Sequence, residues 1–273
     1  MNQPLGSPIV SVKWLYSNLE NPNLVVLDGT INKIFNTETQ QIPKARFFDI
    51  KKKFSDITGE FPSTFPSEFQ FQEEARNLGI NNNSIIVVYD DKGIYSSARV
   101  WWLFKAFGYN KVSVLNGGFP EWTKQGLPKE SMAQFIGEKG DFKANLQPGY
   151  MTFFNGMQKA SKTKSHTIID ARSSVRFNCE VLEPREGLRS GTIPNSINLP
   201  FTDLLENGLL KDKADLKTIF ASKITDETKA VIFSCGSGIT ACVLALGAEI
   251  AGYKNLVVYD GSWTEWGSLQ PVR

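Results

Sequence analysis

The sequence predicts an α/β protein made of two tandem domains, each a small parallel sheet flanked by helices. Three observations predict it. The chain has 273 residues, close to two domains of roughly 150 residues each. It also repeats itself. Residues 85–122, IIVVYDDKGIYSSARVWWLFKAFGYNKVSVLNGGFPEW, align without a gap on residues 229–266, KAVIFSCGSGITACVLALGAEIAGYKNLVVYDGSWTEW. Gly108-Tyr109, Val114, Gly117 and Glu121-Trp122 fall on Gly252-Tyr253, Val258, Gly261 and Glu265-Trp266. The offset is 144 positions (229 minus 85), about half the chain, so a whole domain is duplicated and the repeat is not a solenoid. Finally, apolar runs without polar alternation, such as SIIVVY and AVIFS, suit strands covered on both faces. They alternate with helical stretches, as βαβ units and a parallel sheet require.

The elements follow in order. LVVLDGT (24–30) corresponds to TIIDARS (167–173), a short apolar strand ending in Asp. QIPKARFFDI (41–50) corresponds to TIPNSINLPF (192–201). Each half then continues with a helical stretch, a second strand, a short Gly-bearing loop, a helix and a third strand. Residues 129–150, KESMAQFIGEKGDFKANLQPGY, break the periodicity and carry charge and glycine. They read as a linker between domains at 1–128 and 151–273.

Composition narrows the function. Hydrophobic residues are 41% and charged residues 21%, which fits a soluble globular protein with a real core. A net charge of +2, from 30 basic and 28 acidic residues, gives no footing for nucleic-acid or membrane-surface binding. No apolar run approaches the length of a membrane-spanning helix, and the start lacks the pattern of a secretory signal. The cysteines are Cys179, Cys235 and Cys242. They are too few for a disulfide framework, so reduced thiols in a cytoplasmic setting are the simplest reading. A single histidine, His166, leaves no His-rich metal site; neither metal nor organic cofactor is expected.

The chemical signal is FSCGSGITAC. A buried strand delivers Cys235, and Gly236, Ser237, Gly238, Ile239 and Thr240 lead into a helix from about Ala241. Two glycines let the backbone turn tightly with its N–H groups inward. Such a nest before a helix N-terminus favours an anion. A cysteine held there should have a depressed pKa, and the thiolate is the nucleophile. The competing reading is a buried structural cysteine at a strand end. The first half has Asp91 in the place of Cys235; a carboxylate cannot carry sulfur, so that half should be catalytically silent. Cysteine-dependent phosphatases place Arg six residues after the cysteine, where this chain has Ala241.

The tandem arrangement, the silent first half and the CGSGIT loop resemble the two-domain sulfurtransferases of the rhodanese superfamily over nearly the whole chain. Within that superfamily, thiosulfate-type members carry cations just after the cysteine. The 3-mercaptopyruvate-type members carry Cys-Gly-Ser-Gly, as at 235–238. The resemblance implies two rhodanese-like domains and sulfur transfer through a Cys235 persulfide. The donor would be mercaptopyruvate, and the acceptor cyanide, a small thiol or a thioredoxin-like protein. It places Arg176 and Arg185 on the substrate carboxylate, the loop amides of Gly236, Gly238, Ile239 and Thr240 around the sulfur, and Ser237 beside it. Planar, permanently charged guanidinium forks suit carboxylate binding.

Thr240 reads as a helix-start residue whose hydroxyl caps free N–H groups, and Asp170 as a residue that orients the loop. The family's histidine before the Ile-Pro segment is Gln41 here, so its proton relay is not carried over. Thiosulfate:cyanide sulfur transfer and a non-turnover persulfide carrier remain as alternatives. Cys242 and the tryptophans read as packing, and KKKF (51–54) as a solvated loop.

Overall fold

The computed structural model describes residues 7–34 and 38–270. Packing divides the chain into two units. The first comprises residues up to Ile57, Phe65–Gln147 and Asn207–Leu209; the second comprises Thr58–Thr64, Pro148–Glu206 and residues from Leu210 onward.

In the first unit the sheet strands are β1 (Ile9–Val10), β2 (Leu24–Asp28), β3 (Arg46–Phe47), β4 (Ile85–Tyr89) and β5 (Val112–Leu115). They lie in the order β1-β5-β4-β2-β3, all parallel. The helices are α1 (Val12–Asn18), α2 (Glu68–Asn77), α3 (Ser97–Ala106) and α4 (Gly118–Lys124). Ser11 and Ser67 start the first two, each hydroxyl accepting a free N–H, from Trp14 and Gln70. β4 is the centre, with Ile86, Val87 and Val88 all enclosed. Helices cover both faces of such a strand, which is why its sequence shows no alternation.

The second unit contains β6 (Met151–Thr152), β7 (Thr167–Asp170), β8 (Ser196–Asn198), β9 (Val231–Ser234) and β10 (Leu256–Tyr259). Its helices are α5 (Phe154–Thr163), α6 (Ser174–Phe177), α7 (Lys213–Ala221), α8 (Ala241–Ala251) and α9 (Ser262–Leu269). The sheet order is β6-β10-β9-β7-β8, again parallel. Every strand stands where its counterpart five labels earlier stands in the first unit. The internal repeat is therefore a repeat of topology. α8 is apolar nearly all round and buried from Ala241 to Ala248, as a helix at the middle of a layer must be.

Trp122 and Trp266, the repeat's paired tryptophans, sit in corresponding cores. Residues 129–147, read from sequence as part of a linker, pack with the first unit and bury Phe142 against Phe71, Phe104 and Tyr109. Phe54, read as part of a solvated loop, is 2% exposed and its ring stacks on Phe48 at 3.5 Å; the apolar ring leaves water while its lysine neighbours stay at the surface. Among the described residues, no helix is long and apolar enough to cross a membrane.

Candidate active site

The strand order puts a topological switch between β7 and β9, because the chain leaves these two strands in opposite directions. Ligands in open parallel sheets bind beyond the carboxyl ends of the strands at such a point. Asp170 and Ser234 are register partners at those ends. The loops that follow them, carrying Arg172 and Cys235, therefore emerge side by side.

The Cys235 loop is clamped by the start of α9. The Cys235 carbonyl accepts from Trp263 N–H (2.9 Å), and the Gly236 carbonyl accepts from both the N–H (2.9 Å) and the hydroxyl (2.6 Å) of Thr264. Ser262 Oγ accepts from the N–H of Cys235 (3.0 Å) and of Gly238 (3.1 Å) and donates to the Tyr259 carbonyl (2.9 Å). The same oxygen is 3.9 Å from Cys235 Sγ. Ser262 is buried and takes φ +50°, a left-handed conformation that costs a serine more than a glycine. Its hydroxyl, with three bonds, explains its presence. Gly238 at φ +73° makes the turn, where any side chain would be strained.

A trans peptide points its C=O and the next N–H in opposite directions. With the carbonyls of Cys235 and Gly236 turned toward α9, the N–H groups of Gly236 and Ser237 face the other way. Among the described residues, no protein group accepts from the N–H of Gly236, Ser237, Ile239 or Thr240. The second unit therefore presents an open ring of donors. In the first unit the equivalent ring is filled by its own carboxylate: Asp90 accepts from the N–H of Lys92 (2.9 Å), Tyr95 (2.9 Å) and Ser97 (2.8 Å). The counterpart of Asp90 is Ser234, too short to plug the ring; its buried hydroxyl has no partner among the described residues.

Cys235 is 2% exposed, as deep as the competing structural reading expects. Arg176, on α6, reaches the loop. A Cβ on Gly236 would lie 3.2 Å from its Nη2, so the absence of a side chain at 236 lets the guanidinium approach. Glu183 holds Arg176 at 2.5 Å and Arg172 at 2.8 Å. Arg172 is in turn paired with Asp170 at 2.8 Å. Burial pushes the Asp170 carboxyl up from its ordinary value, opposed by Arg172; burial lowers Arg172, but Asp170 and Glu183 carry it above the usual arginine value. Arg172 is fully engaged. Arg176 is 26% exposed and its buried Nε has no acceptor among the described residues, so it keeps a donor for a ligand.

The structure thus brings Cys235, Gly236, Gly238, Ile239, Thr240 and Arg176 together. Arg185 is exposed, and among the described residues its guanidinium has no partner. Ser237 is half-buried and its hydroxyl makes no bond to Cys235. Thr240 stands at the cap position of α8, but the expected hydroxyl cap is absent. Its backbone is already helical (φ −74°, ψ −16°), whereas a capping side chain needs an extended residue to swing back over the N–H groups. Cys242 is buried, with Sγ 3.3 Å from the Gly238 carbonyl, and Cys179 is exposed. Gln41 holds its own turn, donating to Ala45 O (3.0 Å) and Glu130 (2.9 Å).

Sequence reasoning missed Ser262, Thr264, Glu183 and Arg172. Ser262 had a readable signal: it replaces Gly118 of the first repeat, where a Cβ would lie 2.5 Å from the Asp90 carbonyl.

Comparison with known proteins identifies the family and the fold. The family described as "Rhodanese-like domain" matches residues 11–125 and again 155–269. The chain is 38% identical over 272 residues to the 3-mercaptopyruvate sulfurtransferase of Mus musculus, covering 94% of this chain and 91% of that protein. It is 37% identical over 285 residues to the thiosulfate sulfurtransferase of Rattus norvegicus, covering 99% and 95%. The crystal structure of SseA, a 3-mercaptopyruvate sulfotransferase from Escherichia coli, matches with a TM-score of 0.82 and 32% identity over 94% of this chain and 99% of that one. The chain belongs to the rhodanese family and carries two rhodanese-like domains in tandem.

Proposed function

We propose that the protein is a sulfurtransferase that moves sulfur from 3-mercaptopyruvate through a persulfide on Cys235 to a thiol or cyanide, releasing pyruvate. One observation carries the reading: the ring of unclaimed amide donors around Cys235 in the second unit, with Arg176 against it. The filled ring and Asp91 in the first unit assign it no covalent role.

The Cys235 thiolate attacks the sulfur of mercaptopyruvate. The S–S bond forms as the C–S bond breaks, and its electron pair passes to the pyruvate enolate, which takes up the proton lost by the donor's thiol. Arg176 and Arg185 hold the carboxylate and line up the C–S bond. The persulfide anion lies on the N–H groups of Gly236, Gly238, Ile239 and Thr240, fixed dipoles that need no reorganisation as charge arrives. Gly238 N–H, shared with Ser262, contributes least. Attack by the acceptor on the terminal sulfur regenerates the thiolate, completing a double displacement. A reduced thioredoxin-like protein is the proposed protein acceptor, and the reduced cysteines suit the cytoplasm.

A thiosulfate donor is the second reading, favoured by the rat relative. It is disfavoured by a loop whose residues 236–240 carry no cation beside the attacked sulfur. Comparing kcat/KM for the two donors tests the assignment. Mercaptopyruvate should lead by well over tenfold; equal or reversed values would reassign the donor. Cys235→Ser should abolish transfer from both while leaving the circular-dichroism spectrum unchanged.

A further inference from the structure

The units differ where their strands begin, the edge away from the Cys235 loop. In the first unit, residues 140–147 lie across this edge as an extended strap. Its N–H groups at Phe142 and Asn145 donate to the carbonyls of Ile80 (3.1 Å) and Phe107 (3.0 Å). Those at Ala144 and Leu146 donate to the side chains of Gln72 (3.2 Å) and Glu68 (2.6 Å) on α2. The Phe142 ring is fully enclosed, edge-on to Tyr109 at 5.3 Å.

The second unit keeps this seat without a strap. Ile224, Ala251 and Tyr253 correspond to Ile80, Phe107 and Tyr109 at the repeat's offset of 144, and they line a cavity of about 400 Å³. Among the described residues, no N–H is bonded to the carbonyls of Ile224 or Ala251. The Tyr253 hydroxyl is enclosed without a partner, the residue being 9% exposed, whereas the Tyr109 hydroxyl donates to Ser84 O. The two open carbonyls favour an occupant that satisfies them, as the strap satisfies those of Ile80 and Phe107.

The charges name the occupant. Glu68 and Gln72 stand one and five residues after the α2 cap Ser67; the same positions after the α7 cap Asp212 are Lys213 and Lys217. Both line the cavity, with Lys229 and Lys254 and a single acid, Glu227. Lys229 is engaged by Asp226 at 3.8 Å. Acceptors on the seat have become cations, so the occupant presents carboxylates where the strap presents N–H groups.

We propose that this seat binds an extended acidic segment of a partner protein, as the first unit binds its own strap. Main-chain N–H groups meet the carbonyls of Ile224 and Ala251, an aromatic ring rests on Tyr253, and carboxylates meet Lys213 and Lys217. Main-chain bonds supply affinity and side-chain pockets the specificity, as in other extended-peptide sites.

The probe is a fluorescein-labelled peptide of residues 138–147, EKGDFKANLQ, carrying Ala144→Glu and Leu146→Glu, titrated with the whole chain by fluorescence anisotropy at low ionic strength. Saturable binding is expected. It should weaken at least tenfold for the unchanged strap peptide, for a peptide with Phe142→Ala, and for the Lys213→Glu and Lys217→Glu proteins. Sulfur transfer should be unchanged in both protein variants, which certifies their fold. Absence of binding would overturn the proposal. So would equal binding of a scrambled acidic peptide, which reports a plain polyanion, or binding insensitive to both lysine variants.

Discussion

At the scale of single residues, the site works by leaving some polar groups open and closing others. Cys235 sits in a loop that the two halves build with opposite outcomes. Ser262 closes two amides and leaves the rest free. Ser262→Ala strands two buried N–H groups, and denaturant titration should record a loss of about 1–3 kcal/mol together with a lower kcat/KM. The Arg185 side chain is exposed and its guanidinium has no hydrogen-bond or ion-pair partner among the described residues, so truncating it should leave the fold in place. Arg185→Ala should raise KM for mercaptopyruvate by roughly ten- to a hundredfold, the equivalent of about 1.5–3 kcal/mol for a lost charged hydrogen bond, with the melting temperature unmoved.

Asp91, the silent counterpart of Cys235, has its carboxyl raised by burial and by the neighbouring Asp90. A carboxyl raised in the folded state contributes stability below its unfolded value and loses it as pH rises through the folded value. Asp91→Asn should therefore raise the melting temperature at neutral pH, with the gain vanishing below the ordinary carboxylate range.

At the scale of elements, the three inner strands of each sheet, the repeat and the reactive loop were legible, because buried parallel strands and Gly-rich turns write themselves into local sequence; the short edge strands β1, β3, β6 and β8 were not. β9, the CGSGIT loop and α8 could be placed from 21 consecutive residues, 231–251. The clamp could not. Ser262 bonds Cys235 across 27 positions of chain and Thr264 bonds Gly236 across 28, and no local pattern encodes those contacts. The missing Thr240 cap is likewise a matter of backbone angle, invisible in residue type. The loop contrast makes a transplant test. In a Cys235→Ser background, Asp91→Cys should restore no sulfur transfer, because the Asp90 carboxylate already occupies the ring of donors. Measurable turnover would show that the amides of the second loop are dispensable.

At the scale of the whole molecule, duplication followed by divergence explains why one sequence carries the same sheet twice, with Cys235 in one loop and Asp91 in its counterpart. Family membership was readable from the CGSG loop and the spacing of the halves. The Glu183 bridge between Arg172 and Arg176 was not, since an acid between two arginines reads as surface charge until coordinates show it buried. Nor was the depth of Cys235.

Sulfur transfer requires that enclosed sulfur to accept a second sulfur atom and to hold it on free amides. Intact-mass spectrometry of the protein after mercaptopyruvate, without acceptor, measures this directly. One added sulfur is predicted, mapping to Cys235, absent in Cys235→Ser and discharged by cyanide. No adduct, or an adduct carried by Cys179 or Cys242, would contradict it.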